Sequence, residues 1–448
     1  HPHDMKAATN EKAIEQLAPP AVVVIPMSMH FGAPCTPLVK AGDHVKVGQK
    51  IGEFHGLGAP IHASVSGTVK AVEPRPYSMG GNITSVVIEN DMQDEVSEEV
   101  QAPADPNALS VEEMVEIVKN AGIVGMGGAT FPTHVKITSG IGKVNTVIIN
   151  GAECEPYITG DHRTMLERPE EIIGGAKFLA KMFGVDKVVI GVEDNKRNGI
   201  DAMNKVIAEQ KAPVVVEPLR CRYPQGGEKQ LCQAITGRQV PPGGLPADIG
   251  CAVFNINTTC AIYRALTTGM PVVRKIVTVS GSGVVEPKNL ECPIGTPVSS
   301  LLDACGGLKD GTYKLIAGGP RMGMAQSTAD ISVAKGTGAI LAFCENEEKT
   351  VENPQCIRCG KCVSVCPMHL EPLFMYQYAS KGMVEELNDA HIMDCMECGA
   401  CSYICPARMH LTHMFKTGKQ LVKDKAAADR AAAEAKKKAE EAKEAAAK

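Results

Sequence analysis

The amino-acid sequence predicts a multidomain protein that combines α/β and α+β domains. At 448 residues, the chain is too long for a single hydrophobic core and should form several domains. Short apolar segments separated by turn residues occupy residues 20–90, whereas helix-like and strand-like segments alternate over residues 107–271. A doubled cysteine motif follows residue 350 and indicates a further domain of a different kind.

Residues 1–95 have the pattern of a small β-sandwich. Apolar residues alternate with polar ones over residues 39–52 and 61–69, and Gly and Asp separate the segments. This arrangement resembles the barrel of biotinyl and lipoyl carrier domains, in which a modified lysine lies on an exposed hairpin. The segment expected to form that hairpin, residues 54–60, contains no lysine. We therefore expect a lipoyl-like scaffold without a prosthetic group.

Residues 107–271 are predicted to form an α/β domain, preceded by a polar, acidic linker over residues 91–106. Ser110 followed by Glu113 has the pattern of a capping box and predicts a helix that begins there. Helix-like and strand-like segments then alternate, with strands predicted at 145–150 and 187–191 and a helix at 170–183.

Residues 272–346 are predicted to form a smaller domain with two strands flanking a helix. The strands are expected at 275–280 and 314–317, and the helix at 298–305. The region resembles a β-grasp-like soluble-ligand-binding domain, including its glycine-rich turn at 318–323. Two roles stay open for it, ligand binding and a structural spacer.

Residues 350–418 carry the cysteine motifs, with a helix predicted over residues 370–388 between them. The last segment, residues 419–448, consists mainly of Ala, Lys and Glu and is predicted to be a charged helical tail. Because it has no apolar stripe, we expect a spacer or a docking tail.

The composition argues against some classes of function. A net charge of −5 gives no reason to expect nucleic-acid binding. The chain has no run of about 18 apolar residues, so a direct membrane span is not expected and membrane association would need a partner. The cysteines outside the doubled motif are irregularly spaced, as is typical of buried thiols in a reducing cytoplasm. The chain begins at His1 rather than Met, which indicates that residues precede it in the natural protein.

The doubled cysteine motif predicts two [4Fe–4S] clusters. Each run has the spacing Cys-x-x-Cys-x-x-Cys-x-x-x-Cys-Pro, in which the fourth cysteine of bacterial ferredoxins ligates the other cluster. The predicted ligand sets are therefore crossed: Cys356, Cys359, Cys362 and Cys405 for the first cluster, and Cys395, Cys398, Cys401 and Cys366 for the second. Structural zinc is disfavoured because zinc sites usually present two Cys-x-x-Cys pairs. A disulfide framework would suit a short secreted chain, which this is not.

A glycine-rich segment and three polar motifs indicate a second candidate site. Residues 120–132 contain Gly125, Gly127 and Gly128, which would let backbone amides approach a phosphate. A Rossmann arrangement is disfavoured because it requires a strand before such a loop, and a helix-like segment stands there instead. The polar motifs follow in order: Asn-Gly-Ala-Glu-Cys-Glu-Pro at 150–156, Tyr-Pro-Gln-Gly-Gly-Glu-Lys at 223–229 and Asn-Ile-Asn-Thr-Thr at 255–259.

In this order, the motifs resemble those of the RnfC family of electron-transport proteins across essentially the whole chain. The middle domain is similar to the NADH-binding flavoprotein of respiratory complex I. The resemblance implies FMN and NAD(H) as cofactor and substrate, and it implies the following positions around them: Gly125, Gly127 and Gly128 along the flavin and dinucleotide; Phe131 against the adenine; Lys136 on FMN; Asn150 at the flavin or its ribityl chain; Glu153, Glu155 and Glu228 around the nicotinamide, with Gly226 in the loop of Glu228; Asn257 and Thr258 at the FMN phosphate. No catalytic acid or base is expected, because hydride transfer requires none.

Two departures from the complex I pattern limit what the resemblance implies. The complex I flavoprotein has a Lys and a second Phe in an Arg-x-Lys-Pro-Pro-Phe stretch, where residues 238–243 have Val and Gly. The adenine pocket is therefore expected to be built differently, or to bind NADH less tightly. The doubled cysteine motif also replaces a single-cluster domain, which favours the Rnf family.

Three functions are compatible with this pattern. The first is an NADH-linked FMN and iron–sulfur subunit of a membrane-bound Rnf-type ferredoxin:NAD oxidoreductase that translocates Na⁺ or H⁺. In that case, the partners are the other Rnf subunits, including membrane subunits and a ferredoxin-type subunit, and the location is peripheral at the cytoplasmic face of the cell membrane. The alternative is a soluble relative, such as a microcompartment cobalamin reductase. The third is a ferredoxin-like relay whose flavin domain serves only for docking.

Overall fold

The computed structural model describes residues 3–344 and 351–446 and divides the chain into two compact units. Residues 3–344 belong to the first unit, and residues 351–446 belong to the second. The outer ends of the predicted domains, at residues 1–2, 345–346, 350 and 447–448, lie outside the described residues.

The first unit begins with a small barrel of short antiparallel strands. Its first strand, β1 (Ile14–Gln16), pairs in another sheet. The barrel strands are β2 (Val22–Pro26), β3 (Thr36–Pro37), β4 (His44–Val45), β5 (Lys50–Glu53), β6 (Ile61–His62), β7 (Gly67–Pro76) and β8 (Asn82–Asn90). They form two sheets, ordered β2-β8-β7-β4 and β3-β5-β6. In β2, alternation buries Val23 and Ile25 on one face.

An α/β domain follows the barrel. Its helices are α1 (Val111–Asn120), α2 (Thr133–Gly140), α3 (Gly160–Glu167), α4 (Pro169–Phe183), α5 (Arg197–Gln210), α6 (Glu228–Thr236) and α7 (Ile256–Thr268). Its strands are β9 (Thr146–Gly151), β10 (Val188–Glu193), β11 (Val214–Leu219) and β12 (Cys251–Asn255), and a short 3₁₀ helix lies at Pro246–Ile249. The predicted capping box is confirmed, because Ser110 and Glu113 exchange side-chain hydrogen bonds with each other's backbone N–H groups at the start of α1.

The strands of this domain form one parallel sheet in the order β11-β10-β9-β12. The chain therefore builds the sheet outward from β9 in one direction and then adds β12 on the other side of β9. In open α/β sheets, ligands bind at the carboxyl ends of the strands where the order reverses in this way. By this rule a ligand site is expected beyond the carboxyl ends of β9 and β12, and we call this region the crevice.

A mixed six-stranded sheet completes the first unit. Its elements are β13 (Arg274–Ser280), β14 (Lys288–Pro293), α8 (Val298–Ala304), β15 (Thr312–Ala317), β16 (Met324–Gln326) and β17 (Ala339–Cys344). The order β1-β14-β13-β17-β15-β16 includes the N-terminal strand β1, which pairs in parallel with β14. This edge strand comes from outside the region predicted to form the domain.

Shared packing ties these regions together. The barrel and the α/β domain share one hydrophobic core, whereas the mixed sheet has its own. Lys335, which precedes β17, is fully buried and donates hydrogen bonds to the carbonyl of Pro60 at 2.8 Å and that of Gly122 at 2.7 Å. One ammonium thus joins the mixed sheet to both other regions, and burial lowers its pKa to about 7.

The second unit is helical. Its helices are α9 (Lys361–Ser364), α10 (Pro372–Ser380), α11 (Val384–Asp389), α12 (Ala400–Ile404) and α13 (Leu411–Ala446), with a 3₁₀ helix at Ile392–Asp394. The single helix predicted over 370–388 is wrong, because two helices occupy that range. Gly382 between them has φ of +65°, a left-handed conformation that ends a helix.

The charged tail continues a helix that begins before residue 419. The first turns of α13 pack into the second unit, where Phe415 and Val422 are buried. Within the two described ranges, no helix is both long and apolar enough to cross a membrane.

Candidate functional site

The predicted flavin-site residues lie in loops that follow the parallel strands or face their carboxyl ends. Asn150 and Asn255 are register partners on β9 and β12, at the level where both strands end. The loop after β9 carries Glu153 and Glu155, and α7 begins directly after β12. The crevice at the point of strand reversal is therefore lined by the motifs that the sequence singled out.

The glycine-rich loop lies between α1 and α2, so the Rossmann arrangement is absent here. The loop is closed by hydrogen bonds from Gly125 N to Phe131 O at 2.9 Å and from Thr130 N to Gly125 O at 3.1 Å. Gly128 has φ of +139°. A β-carbon at Gly127 would lie 3.2 Å from Cβ of Asn255, so the loop is seated against the end of β12.

Thr258 fixes the same loop to α7. Met126 N donates to the Thr258 hydroxyl at 2.9 Å, and that hydroxyl donates to Val124 O at 3.2 Å. Asn255 caps the helix, because its side-chain oxygen accepts from the backbone N–H groups of Asn257 and Thr258. The glycine loop and the α7 N-terminus therefore form one rigid assembly.

Asp161 connects this assembly to the acidic loop, and the sequence motifs did not identify it. Its carboxylate accepts from the side-chain amides of Asn255 at 2.8 Å and Asn257 at 2.5 Å, while its backbone N–H donates to Glu153 Oε1 at 2.7 Å. Burial raises the pKa of Asp161 to about 6, and the Glu153 carboxylate adds to this, while Lys275 opposes it.

Glu153 is buried and paired with a lysine from the start of the chain. Lys6 Nζ donates to Glu153 O and Ile158 O, each at 2.6 Å, and lies 3.5 Å from Glu153 Oε2. Both side chains are nearly inaccessible, with 5% of Lys6 and 8% of Glu153 exposed. The N-terminal segment thus fixes the orientation of the acidic loop.

Glu155 lies against the mixed sheet. The Tyr223 hydroxyl donates to its Oε1 at 2.9 Å, and the backbone N–H of Arg321 donates to its Oε2 at 3.3 Å. The Arg321 guanidinium stacks over the Tyr223 ring at 4.9 Å. Burial raises the pKa of Glu155. The predicted glycine-rich turn at 318–323 therefore packs against the predicted nicotinamide pocket.

Other predicted site residues form local pairs. Asn150 Nδ2 donates to Gly226 O at 2.8 Å, and a β-carbon at Gly226 would approach Ala152 O to 2.3 Å. Lys136 Nζ donates to Glu228 Oε1 at 2.7 Å and to Val253 O at 3.0 Å. The first pair belongs to the crevice, whereas Lys136 lies beside β12.

The predicted adenine pocket involves Phe131 and residues 238–243, the stretch that differs from the complex I pattern. The Phe131 ring lies 6.0 Å from the ring of Phe31, so its place against adenine stays a prediction. Arg238 donates to Ile249 O at 2.6 Å and to Thr146 Oγ1 at 2.7 Å, at the amino ends of β9 and β12. The stretch therefore starts at the opposite edge of the sheet from the crevice.

The crevice suits an anionic cofactor. The 13-residue helix α7 begins at the crevice, directly after β12, and a helix N-terminus carries a partial positive charge. The glycine loop carries no side-chain bulk at Gly125, Gly127 and Gly128. Gly226 allows the chain to pack closely against the acidic loop, because a β-carbon there would approach Ala152 O to 2.3 Å. These features fit the phosphorylated flavin that the sequence implies.

In the second unit, cysteines from both motifs line one cavity. Cys366 of the first motif lines this cavity together with Cys395, Cys398 and Cys401 of the second. The Leu370 N–H donates to Cys366 Sγ at 3.4 Å. The donor set of four thiols is the one expected for the second cluster, although the ligand assignment itself stays a prediction.

Two of the remaining cysteines, Cys362 and Cys405, pack against the same hydrophobic cluster of the second unit. Burial raises the pKa of the Cys362 thiol. Cys356 and Cys359 are exposed, whereas Cys398 and Cys401 are buried. Among the residues that the structure describes, no group of three or more His, Cys, Asp or Glu side chains is arranged to hold a single metal ion.

Comparison with known proteins gives the relationship of the chain. It is 45% identical over 396 residues to the RnfC-type component of the Na⁺-translocating ferredoxin:NAD⁺ oxidoreductase complex of Acetobacterium woodii, covering 88% of this chain and 89% of that one. It is 43% identical over 393 residues to the proton-translocating counterpart of Clostridium ljungdahlii, covering 87% and 86%. The chain belongs to the RnfC family. The corresponding component of the ion-translocating oxidoreductase complex of Rhodobacter capsulatus is 41% identical over 376 residues, covering 83% of this chain and 72% of its own.

Family models match successive regions of this RnfC-family chain. They are the RnfC barrel sandwich hybrid domain at residues 1–93, the Nuo51 FMN-binding domain at 118–264, the SLBB domain at 276–325 and the 4Fe-4S dicluster domain at 348–406. The Nuo51 match confirms the relation to the complex I flavoprotein.

Solved structures share the fold. The NAD⁺-reducing [NiFe]-hydrogenase in its H₂-reduced state aligns with a TM-score of 0.51 at 19% identity, covering 69% of this chain and 64% of that one. The air-oxidised state aligns with a TM-score of 0.50 at 18% identity, covering 68% and 63%.

Proposed function

We propose that this chain is the electron-transfer subunit of an Rnf-type complex, and that it holds FMN and two [4Fe–4S] clusters. It exchanges hydride with NAD(H) at the flavin and single electrons with the other subunits. One observation carries the proposal: the glycine loop, the α7 N-terminus and the acidic loop meet through Asp161 at the reversal point of the parallel sheet.

The residues of the crevice would hold and orient the ligands. Gly127 and Gly128 would approach the flavin and its phosphate through their backbone amides, together with Asn257 and Thr258. Gly125, whose N–H closes the loop on Phe131 O, would leave room beside the flavin because it has no side chain. A flavin bound there would accept a hydride from NADH and release its electrons singly. Because no proton has to be moved by a side chain, the acidic residues need only position the dinucleotide.

Glu153 and Glu155 are suited to that positioning role. Each carboxylate accepts a hydrogen bond from a backbone N–H and contacts a second donor, Lys6 for Glu153 and Tyr223 for Glu155, which restrains its orientation. Glu228 is engaged by Lys136 and would contribute less directly. The adenine would rest on Phe131.

The two crossed clusters would pass single electrons between the flavin and partner subunits. Those partners would be the membrane subunits and a ferredoxin-type subunit of the complex, with this chain attached at the cytoplasmic face of the cell membrane. The relatives from Acetobacterium and Clostridium belong to complexes that translocate different ions, at nearly equal identity to this chain. We infer that the coupling ion is chosen elsewhere in the complex.

Anaerobic purification followed by flavin and iron analysis tests the proposal. We expect one FMN released by acid, about eight irons per chain and bleaching of the flavin absorbance on titration with NADH. Iron near that level without FMN would refute the oxidoreductase function and leave a ferredoxin-like relay. FMN that NADPH reduces but NADH does not would refute the NAD(H) assignment.

A further inference from the structure

A second cavity lies in the first unit, between α7 and the mixed sheet. The residues that line it include Met126, Asn257, Arg264, Arg274, Lys275 and Glu291. Met126 belongs to the glycine-rich loop and Asn257 to the first turn of α7. The cavity therefore adjoins the predicted flavin site from the side of β13.

The charges around this cavity favour an anion. Three cationic side chains and one carboxylate, Glu291, line it. The Glu291 charge is already compensated, because Arg168 binds it through both terminal nitrogens and Arg264 lies 3.6 Å away. Although burial opposes this, the Arg168 guanidinium lowers the pKa of Glu291 to about 2. The carboxylate of Glu291 is thus already paired, with Arg168 behind it and with Arg264 in the cavity wall.

Lys275 differs from the other cations of the site in how its donors are used. Lys6 donates to two carbonyls and contacts a carboxylate, and Lys136 binds a carboxylate and a carbonyl. Arg264 is held by both carboxylate oxygens of Glu171. Lys275 is only 4% exposed, yet among described residues its ammonium donates one hydrogen bond, to Met126 O at 3.1 Å.

A buried ammonium with unused donors is costly unless an acceptor is supplied. Burial lowers the pKa of Lys275 to about 8, and the charge of Asp161 is the main effect that opposes this. A phosphate would satisfy the remaining N–H groups with short, charge-assisted hydrogen bonds. Lys275 lines the cavity together with Asn257, a residue already expected at the FMN phosphate.

We propose that Lys275, contributed by the mixed sheet, is the cation that binds the phosphate group of FMN. This inference rests on the proposed function and extends it. The mixed sheet would then take part in cofactor selection, because Lys275 would contact the phosphate group that distinguishes FMN from riboflavin. The carbonyl of Met126 would orient the ammonium of Lys275, and Asn257 would contact the phosphate beside it.

Flavin selectivity tests the proposal without relying on turnover. The full-length chain is depleted of flavin anaerobically and titrated with FMN and with riboflavin, using quenching of flavin fluorescence. The wild type should bind FMN at least about tenfold more tightly than riboflavin, as expected for a charge-assisted contact. Lys275→Gln, whose amide can still donate to Met126 O, should lose about tenfold in FMN affinity with riboflavin affinity unchanged.

Controls separate the alternatives. Lys288→Gln, on the neighbouring strand of the same sheet, should keep the wild-type selectivity, and Lys275→Met provides a second removal of the charge. Iron content and thermal unfolding report whether each variant folds. Equal loss of FMN and riboflavin binding, a change confined to NADH binding, or a wild type that binds both flavins equally would each overturn the proposal. A wild type that binds neither flavin would instead refute the proposed function.

Discussion

Replacing Cys366 with alanine tests the crossed arrangement of the cysteines most directly. Cys366 belongs to the first motif in sequence but lines a cavity with Cys395, Cys398 and Cys401 of the second motif. If these four thiolates hold one cluster, Cys366→Ala should remove that cluster and leave the other intact. Iron should then fall from about eight to about four per chain.

The iron content of double variants shows which cysteines share a cluster. Cys366→Ala combined with Cys398→Ala should lose no more iron than either single change, about four per chain, because both remove the same cluster. Cys366→Ala combined with Cys359→Ala should lose nearly all of the iron, because each change removes a different cluster. Cys344→Ala, outside both motifs, is the matched control and should retain about eight.

The assay is iron and sulfide analysis of anaerobically purified protein, with electron paramagnetic resonance of the reduced clusters. An uncrossed arrangement predicts the opposite pattern, in which the pair Cys366 and Cys359 is no worse than a single change. Near-complete iron loss from the pair Cys366 and Cys398 would refute the reasoning from the cavity.

The other predictions concern packing and the crevice. Phe415→Ala should destabilise the second unit by about 3–5 kcal/mol, since Phe415 is 1% exposed, and urea should release iron earlier than from the exposed-site control Phe374→Ala. Gly226→Ala should displace the acidic loop and lower the amount of FMN retained, because its β-carbon would approach Ala152 O to 2.3 Å. The control Gly338→Ala, with open space around it, should retain as much FMN as the wild type. Equal FMN retention by the two variants would contradict this prediction. Glu153→Gln keeps an acceptor for the Asp161 N–H but loses the charge facing Lys6, so the KM for NADH should rise severalfold while flavin content holds; a matching loss of flavin would make the residue structural.

Local patterns predicted much of the architecture. The strand predicted at 145–150 corresponds to β9, and the helix predicted at 170–183 to α4, because periodicity and capping are properties of neighbouring residues. The prediction of one helix over 370–388 was wrong for a reason that is also local. A glycine within a helical pattern is tolerated in sequence, and only the folded chain reveals that Gly382 adopts a left-handed conformation.

The contacts between distant segments could not be predicted in the same way. Lys6 meets Glu153 across 147 residues of sequence, and Lys275 meets Met126 across 149. Asp161, in the first turn of α3, joins the motifs at 150–156 and 255–259 through Glu153 and Asn255. Lys6, Asp161 and Lys275 stand in no recognisable motif, so a sequence signal for them is absent.

The pairing of β1 with β14 has a consequence for biosynthesis. Ile14 leaves the ribosome about 275 residues before its partner Asn289, so the edge of the mixed sheet stays open until most of the first unit has been made. Closing so long a loop adds little to the thermodynamic cost but slows folding. A fragment that starts at residue 272 would expose the unpaired backbone of β14, and we expect it to aggregate unless residues 14–16 are supplied in the same polypeptide.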